Sequence, residues 1–310
     1  MIDVHAHITP PELLERFPMP RSLGDIQGMI EEKARLGIEL SIVGSPVGVG
    51  TMVPMPGMDP FSQPYDALKR FHDWLAETVA EHSERLRAYA WTNPFDDALV
   101  DQTAQTVRDG GFVGLIVNTS IRGEYLDSSK ADAFFAMAAE LDVPILLHPP
   151  PEPVGAGSLS DARLVEQLAR FWDVTASLAV LAFGKRLRQY PDLKLIGAMA
   201  GGAIALLPPR LEGARRAPAM GGPALADGEI ADPPAAAIGR FYVDTATASP
   251  ENLQANLAVL GAGQLLFGTD SPPAARPLDE AIASVERAAP SEEDRRRIFT
   301  ENARALFRLN

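Results

Sequence analysis

The stretch MIDVHAH at residues 1–7 decides how the rest of the chain is interpreted. An apolar start leads directly into His5 and His7, two imidazoles separated by one residue. Residues i and i+2 of a β-strand point to the same side, so both rings can reach one metal ion from the end of a first strand. A chance pair of histidines is the alternative, and only the remaining sequence can distinguish the two.

Composition limits the classes of protein to consider. The 310 residues are 46% hydrophobic, enough to bury a sizeable core in one large α/β domain or two smaller ones. With 28 basic and 41 acidic residues the net charge is -13, and no basic stripe is present, so we expect no nucleic-acid or anionic-membrane partner. We expect a small-molecule substrate instead.

Three further features concern compartment and metal chemistry. No apolar stretch reaches the roughly 18 to 20 residues that span a bilayer. The polar residues at positions 3, 5 and 7 do not match a secretory leader, so we expect a cytoplasmic protein. The chain has no cysteine, so any metal must be held by nitrogen and oxygen atoms.

Strand-like and helix-like segments alternate along the chain about eight times. The strand candidates are short and nearly all apolar, which is typical of a parallel sheet covered on both faces. Eight such units in about 300 residues predict a single-domain (β/α)₈ TIM barrel spanning residues 1–310. The alternative is a doubly wound open sheet, which usually carries a glycine-rich turn after its first strand, where this chain has histidines.

Two segments lack any periodic pattern. Residues 47–64 are dense in Gly, Pro and Met, and Met52, Met55 and Met58 suggest either an apolar lid or an ordinary loop. Residues 217–237 are rich in Ala, Gly and Pro and are predicted to form a surface loop.

Two more potential ligands follow apolar strands. His148 comes directly after the strand candidate that ends at Leu147, and Asp270 lies in LLFGTDSPP at residues 265–273. Alone, His148 could be a hydrogen-bonded core residue and Asp270 could cap a turn. Because strand ends meet at one face of a barrel, the set predicts one divalent metal ion, zinc or alternatively manganese, bound by His5, His7, His148 and Asp270.

The same motifs resemble those of the amidohydrolase superfamily. His-Ala-His after strand one, His148 after strand five and Phe-Gly-Thr-Asp-Ser-Pro after strand eight are the residues that carry the resemblance. Within it, the chain is similar to the branch typified by aminocarboxymuconate-semialdehyde decarboxylase and γ-resorcylate decarboxylase. The resemblance implies a (β/α)₈ barrel, one divalent metal, decarboxylation or hydrolysis of small carboxylated or cyclic molecules, and a homo-oligomer.

The chain departs from this family pattern after strand six. Members of the family carry a histidine before a pair of glycines there, whereas this chain reads Met199-Ala200-Gly201-Gly202. A methionine cannot carry a proton at neutral pH or donate a hydrogen bond. The presumed ligands are retained, but the family's acid/base scheme is not.

Three functions remain open from the residues. The leading one is a metal-dependent decarboxylase of a small carboxylated cyclic or aromatic compound, with Asp270 as the catalytic acid/base. The alternatives are a metal-dependent hydrolase of a lactone, ester or amide, and a metal-binding protein without turnover.

Candidate substrate contacts are Arg122, Asn118 and Trp172. Arg122, after strand four, could bind a carboxylate in a bidentate manner or be a solvated loop residue. Asn118 could bind substrate or close the strand turn, and Trp172 could lie over the substrate or pack against the barrel. Asp244 ends strand seven and could orient a ligand or cap a turn.

Overall fold

Eight parallel strands form the centre of the protein in a computed structural model, which describes residues 1–216, 233–273 and 276–309. The strands pair in sequence order. Their bounds are β1 Ile2–His7, β2 Leu40–Gly44, β3 Leu86–Trp91, β4 Phe112–Asn118, β5 Ile145–His148, β6 Leu195–Gly197, β7 Tyr242–Asp244 and β8 Leu265–Leu266.

Helices surround the strands, and the predicted (β/α)₈ TIM barrel is confirmed. A two-stranded hairpin, Ser120–Ile121 with Glu124–Tyr125, follows β4. The α-helices are Pro11–Arg16, Ile26–Arg35, Tyr65–Glu81, Asp97–Asp109, Asp132–Leu141, Ala162–Leu164, Arg170–Phe183, Arg186–Gln189, Pro208–Arg216, Pro234–Ile238, Pro250–Leu260, Leu278–Ala288, Glu292–Arg296 and Asn302–Phe307. The π-helical segments are Val165–Ala169 and Arg297–Glu301, and the 3₁₀ turns are Arg21–Gly24, Ser129–Ala131, Ala156–Ser158, Met199–Gly201, Ile204–Leu206 and Ala262–Gln264.

Helix Asp97–Asp109 shows why these segments fold as they do. The carboxylate of Asp96 accepts hydrogen bonds from the first free backbone N–H groups of the helix, those of Ala98 and Leu99. The helix buries one face against the strands and ends at Gly110, whose φ of 101° disfavours residues with a side chain. Capping residues next to the helix in sequence therefore set where it begins and ends. Burial of one face sets how the helix is rotated toward the strands.

The two aperiodic segments have different outcomes. Residues 47–64 contain turns but no helix or strand, as the sequence predicts. Of the predicted loop 217–237, residues 217–232 lie outside the described residues. The prediction is wrong for residues 234–237, which belong to the short helix Pro234–Ile238, with proline in its first turn. No helix in the described ranges is both long and apolar enough to cross a bilayer.

The barrel closes between β1 and the residues that follow β8. The N–H of Val4 donates to the carbonyl of Phe267 at 2.9 Å, and the N–H of Asp270 donates to the carbonyl of His5 at 2.7 Å. These two bonds place the candidate ligands His5 and Asp270 side by side.

A buried carboxylate, that of Asp3, holds this seam. Its Oδ1 accepts from the N–H of His5 and of Thr269, both at 3.0 Å. Its Oδ2 accepts from the Thr269 hydroxyl at 2.6 Å and from Lys33 Nζ at 2.7 Å, and Asp3 and Lys33 are both buried. Burial of a charge is tolerated only when it is paired and hydrogen-bonded in this way.

Replacing Lys33 should therefore destabilise the whole barrel. In Lys33→Met the Asp3 carboxylate stays buried without its counter-charge, and we expect the free energy of unfolding to fall by about 3 kcal/mol. Lys69→Met is the matched control, because Lys69 pairs with Asp73 on the exposed surface and its loss should leave the stability nearly unchanged. Denaturant melts of both variants measure this, and equal losses would contradict a special role for Asp3.

Candidate metal centre

Four side chains meet at the carboxyl-terminal end of the barrel: His5 and His7 of β1, His148 of β5, and Asp270 beyond β8. One potential ligand atom of each lies within 4.8 Å of those of the other three. His7 Nε2 is 3.0 Å from Asp270 Oδ1 and 3.2 Å from His5 Nε2. The structure thus brings together all four residues that the sequence predicts as metal ligands.

The three imidazoles are mutually perpendicular. Their ring centroids are 5.0 to 5.2 Å apart, with interplanar angles of 83° to 86°. This arrangement leaves no face-to-face packing between the rings and points their edges at a common centre. Edge-to-face rings at this distance also occur in packed aromatic clusters, so it is the closeness of the four potential ligand atoms that points to a metal site.

The outer ring nitrogen of each imidazole is bound to an oxygen that can only accept. His5 Nδ1 donates to Asp244 Oδ2 at 2.6 Å, His7 Nδ1 to the carbonyl of Gly44 at 3.2 Å, and His148 Nδ1 to the carbonyl of Pro149 at 2.9 Å. Each Nδ1 therefore carries a hydrogen, so the Nε2 of each ring in its neutral form offers a lone pair.

These tautomers make the cluster a good fit to a cation. When both rings are neutral, the Nε2 atoms of His5 and His7 face each other at 3.2 Å without a hydrogen between them. Their lone pairs repel unless a positive charge lies between them. Histidines oriented through Nδ1 by a carboxylate or carbonyl are also the usual arrangement around protein-bound metals.

Asp244 links the metal centre to the turn after β6. Its Oδ1 accepts from the N–H of Ala200 at 2.9 Å, while its Oδ2 holds His5. Ala200 has a left-handed φ of 57°, and its carbonyl accepts from Asn256 Nδ2 at 2.9 Å. Of the two roles left open by the sequence, Asp244 therefore takes both, because it orients a candidate ligand and fixes a turn.

Charge within the cluster also favours a cation. Burial lowers the pKa of His5, but the carboxylates of Asp270 and Asp244 outweigh it and raise this pKa to about 9. Burial raises the pKa of Asp270, yet His5 and His7 outweigh it and hold this pKa well below the usual range. The same field that stabilises a proton on His5 stabilises a divalent ion, and metal binding releases such protons.

A cavity of about 580 Å³ opens directly above the cluster, within the range of small-molecule sites. His7, His148 and Asp270 form its floor. Met199 and the predicted lid residue Met52 contribute apolar wall. The remaining wall includes two further apolar residues and three charged ones: Met19, Val47, Glu166, Arg170 and Arg276.

The three predicted substrate contacts do not line this cavity. Arg122 is exposed and forms an ion pair with Asp59, while Trp172 is 54% exposed on its helix. Asn118 is buried at the end of β4, where its Nδ2 donates to the carbonyl of Pro46, a cavity residue, at 2.9 Å. Asn118 thus supports the wall from behind, and substrate roles for all three residues stay predictions.

Glu166 and Arg170 are cavity residues that the sequence analysis missed. Their i, i+4 spacing is a signal for an ion pair, and the pair is present at 2.6 Å. The spacing cannot show that this pair faces the cavity, because the preceding π-helical segment changes the rotation of the helix.

Comparison with known proteins gives a consistent result. A family model described as amidohydrolase matches residues 2–309. The γ-resorcylate decarboxylase of Polaromonas sp. is 30% identical over 263 residues, which cover 79% of this chain and 77% of that protein. A crystal structure of a dihydroxybenzoic acid decarboxylase from Polaromonas sp., with bound manganese and the inhibitor 2-nitroresorcinol, matches with a TM-score of 0.80. It is 25% identical and the match covers 100% of this chain and 97% of that one.

The fold also matches a more distant structure. The 5-carboxyvanillate decarboxylase of Sphingomonas paucimobilis has a TM-score of 0.83 at 18% identity, covering 100% of this chain and 99% of that one.

Removal of one imidazole should abolish tight metal binding. In His148→Ala we expect metal affinity to fall by at least about 100-fold, since even an outer hydrogen bond to a ligand is typically worth about 10- to 100-fold. Metal per chain after dialysis, measured by plasma mass spectrometry, tests this. His82→Ala is the control, because His82 ends the helix Tyr65–Glu81 away from the cluster. Full metal retention by His148→Ala would rule out the proposed ligand set.

Proposed function

Because the chain belongs to the amidohydrolase family, we propose that it is a metal-dependent decarboxylase of a small hydroxylated aromatic or cyclic carboxylic acid. The observation that carries the proposal is the cluster of three oriented imidazoles and one carboxylate at the floor of a ligand-sized cavity. The names of the relatives, a γ-resorcylate decarboxylase and a dihydroxybenzoic acid decarboxylase, support the substrate class.

We propose that His5, His7, His148 and Asp270 hold one divalent ion. Imidazole and carboxylate ligands suit zinc and manganese equally, and manganese is the ion bound in the related decarboxylase. When bound, the ion supplies Lewis-acid polarisation of a substrate oxygen.

Asp270 is the group that moves the proton. Decarboxylation requires a proton to be added to the carbon that carries the carboxylate, while the carbon–carbon bond breaks and carbon dioxide leaves. Asp270 is ionised at neutral pH because its pKa is held low, and its side chain is 22% exposed. It can therefore accept the proton of a substrate hydroxyl and deliver it to the ring carbon, and the resulting phenolate regains a proton from water.

The apolar wall assists this transfer by excluding water. Met19, Val47 and Met52 line the cavity and can pack on the faces of a ring. A ring held against them presents its carboxylate to the floor of the cavity. A lower local dielectric strengthens every charge interaction with Asp270.

Carbon dioxide release tests the proposed function directly. The protein loaded with manganese or with zinc should release carbon dioxide from 2,6-dihydroxybenzoate, and Asp270→Asn should lose at least about 100-fold in rate, the usual value of a positioned acid/base group. Asp73→Asn removes the same charge from an exposed helix and serves as control. Uptake of ¹⁸O from labelled water into a lactone or ester product, with no carbon dioxide from a panel of hydroxy acids, would instead establish the hydrolase alternative.

Met199 supports a second test, because it occupies a cavity position where family members carry a histidine. Met199→His should raise decarboxylation by about 100-fold if a proton carrier is what this position lacks. Met199 has a φ of 52°, a conformation that histidine adopts more readily than most residues, so the change should not strain the turn. Met199→Leu, without a titratable group, should change little. An equal gain in both variants, or none in either, would contradict a missing proton carrier.

We also propose that the protein is a homo-oligomer. Leu164, Leu168 and Trp172 follow each other at intervals of four residues and are 48%, 51% and 54% exposed. Large apolar side chains that are exposed on consecutive helical segments in this way are typical of a surface that is covered by another subunit.

A further inference from the structure

Arg170 is a nearly buried cation in the wall of the cavity. Its side chain is only 11% exposed, and it lies at the start of helix Arg170–Phe183, directly after the π-helical segment that carries Glu166. Both residues line the cavity whose floor contains His148 and Asp270.

The guanidinium of Arg170 is short of acceptors. Its Nη1 donates to Glu166 Oε1 at 2.6 Å, and within the described ranges no other hydrogen bond from its side chain is present. Its Nε is fully buried without a partner. An arginine carries five N–H donors, and leaving them unpaired in a buried position is costly. The Nε lies too deep for a ligand to reach, but a ligand oxygen in the cavity would give a partner to the donors at the outer end of the guanidinium.

The other cavity arginine does not offer the same donors. Arg276 Nη1 donates to the carbonyl of Ala248 at 2.8 Å, and its Nη2 donates to the carbonyl of Glu280 at 3.2 Å and to the hydroxyl of Ser284. Its guanidinium is therefore anchored to the neighbouring helix, and Arg170 is the better candidate for a substrate contact.

Glu166 limits which ligand groups can accept a hydrogen bond from Arg170. Its carboxylate neutralises the charge of Arg170, and it is 53% exposed at the cavity wall. A substrate hydroxyl can accept from Arg170 and donate to Glu166 without any charge conflict. A second substrate carboxylate at this point would lie beside the Glu166 carboxylate, and such like-charge contacts are strongly disfavoured.

We propose that the Arg170–Glu166 pair is the selectivity element of the cavity: Arg170 binds a ring hydroxyl of the substrate, and Glu166 excludes acids that carry a second carboxylate. The inference rests on the proposed function for the orientation of the substrate, whose departing carboxylate lies at the metal centre. It assigns monocarboxylic hydroxy acids as the substrate class.

Direct binding tests the proposal without relying on turnover. Isothermal titration of the metal-loaded protein compares 2-hydroxybenzoate with benzene-1,2-dicarboxylate, which differ only in the ring group, hydroxyl or carboxylate, that would meet Arg170. We expect the hydroxy acid to bind more tightly to the wild type. Glu166→Gln should improve binding of the dicarboxylate by about tenfold, because it removes the like charge.

Substitutions of Arg170 test the other half of the pair. Arg170→Gln should weaken binding of the hydroxy acid by about tenfold or more, through loss of a charge-assisted hydrogen bond. Arg170→Lys keeps the charge but not the planar fork, and should lose most of the same affinity. Asp73→Asn removes a carboxylate from another i, i+4 pair, one on the exposed surface, and should leave both affinities unchanged.

The outcomes separate this inference from the proposed function. Glu166 is exposed enough that Glu166→Gln should not prevent folding. If this variant leaves the ratio of the two affinities unchanged, the selectivity role is wrong. If the ratio shifts as expected but no carbon dioxide is released, the selectivity role stands and the decarboxylase proposal fails. Failure of the wild type to bind either acid would overturn both.

Discussion

The closing seam of the barrel depends on one buried carboxylate. Asp3 accepts four hydrogen bonds, from both sides of the junction between β1 and the segment after β8. A barrel has no free edge only if its first and last strands are joined. Here His5 and Asp270 are themselves among the residues whose backbone hydrogen bonds make this junction. The interaction that completes the fold is thus also the one that sets the distance between two candidate metal ligands.

The orientation of the three histidines is set by oxygen atoms that accept hydrogen bonds from their outer ring nitrogens. The Asp244 carboxylate and two backbone carbonyls determine which nitrogen of each imidazole carries its hydrogen. Two of these acceptors belong to the backbone of barrel strand ends or the residue after them, so they move only if the barrel moves. The cluster is consequently preorganised, and little reorganisation is needed when charge is placed at its centre.

The sequence was sufficient for the barrel and for the position of the cluster, because both follow from regular rules. Alternating apolar strands and helices predict the topology, and parallel strand ends converge whatever the loops do. It was insufficient for contacts between distant segments. Asp244 and His5 are separated by 239 residues, and nothing local to either indicates their hydrogen bond. The ion pair of Arg122 with Asp59 is a second such contact, since nothing in the sequence around Arg122 indicates that this carboxylate lies beside it.

The turn after β6 has a consequence for how this protein could diverge from its relatives. The backbone N–H of Ala200 donates to Asp244, which orients His5, whereas the side chain of Met199 lines the cavity. Any residue at position 199 that tolerates the left-handed conformation leaves the N–H of Ala200 in place. Evolution could therefore exchange the side chain at this position without disturbing the hydrogen bonds that orient His5, so that structural support and reactivity can change independently.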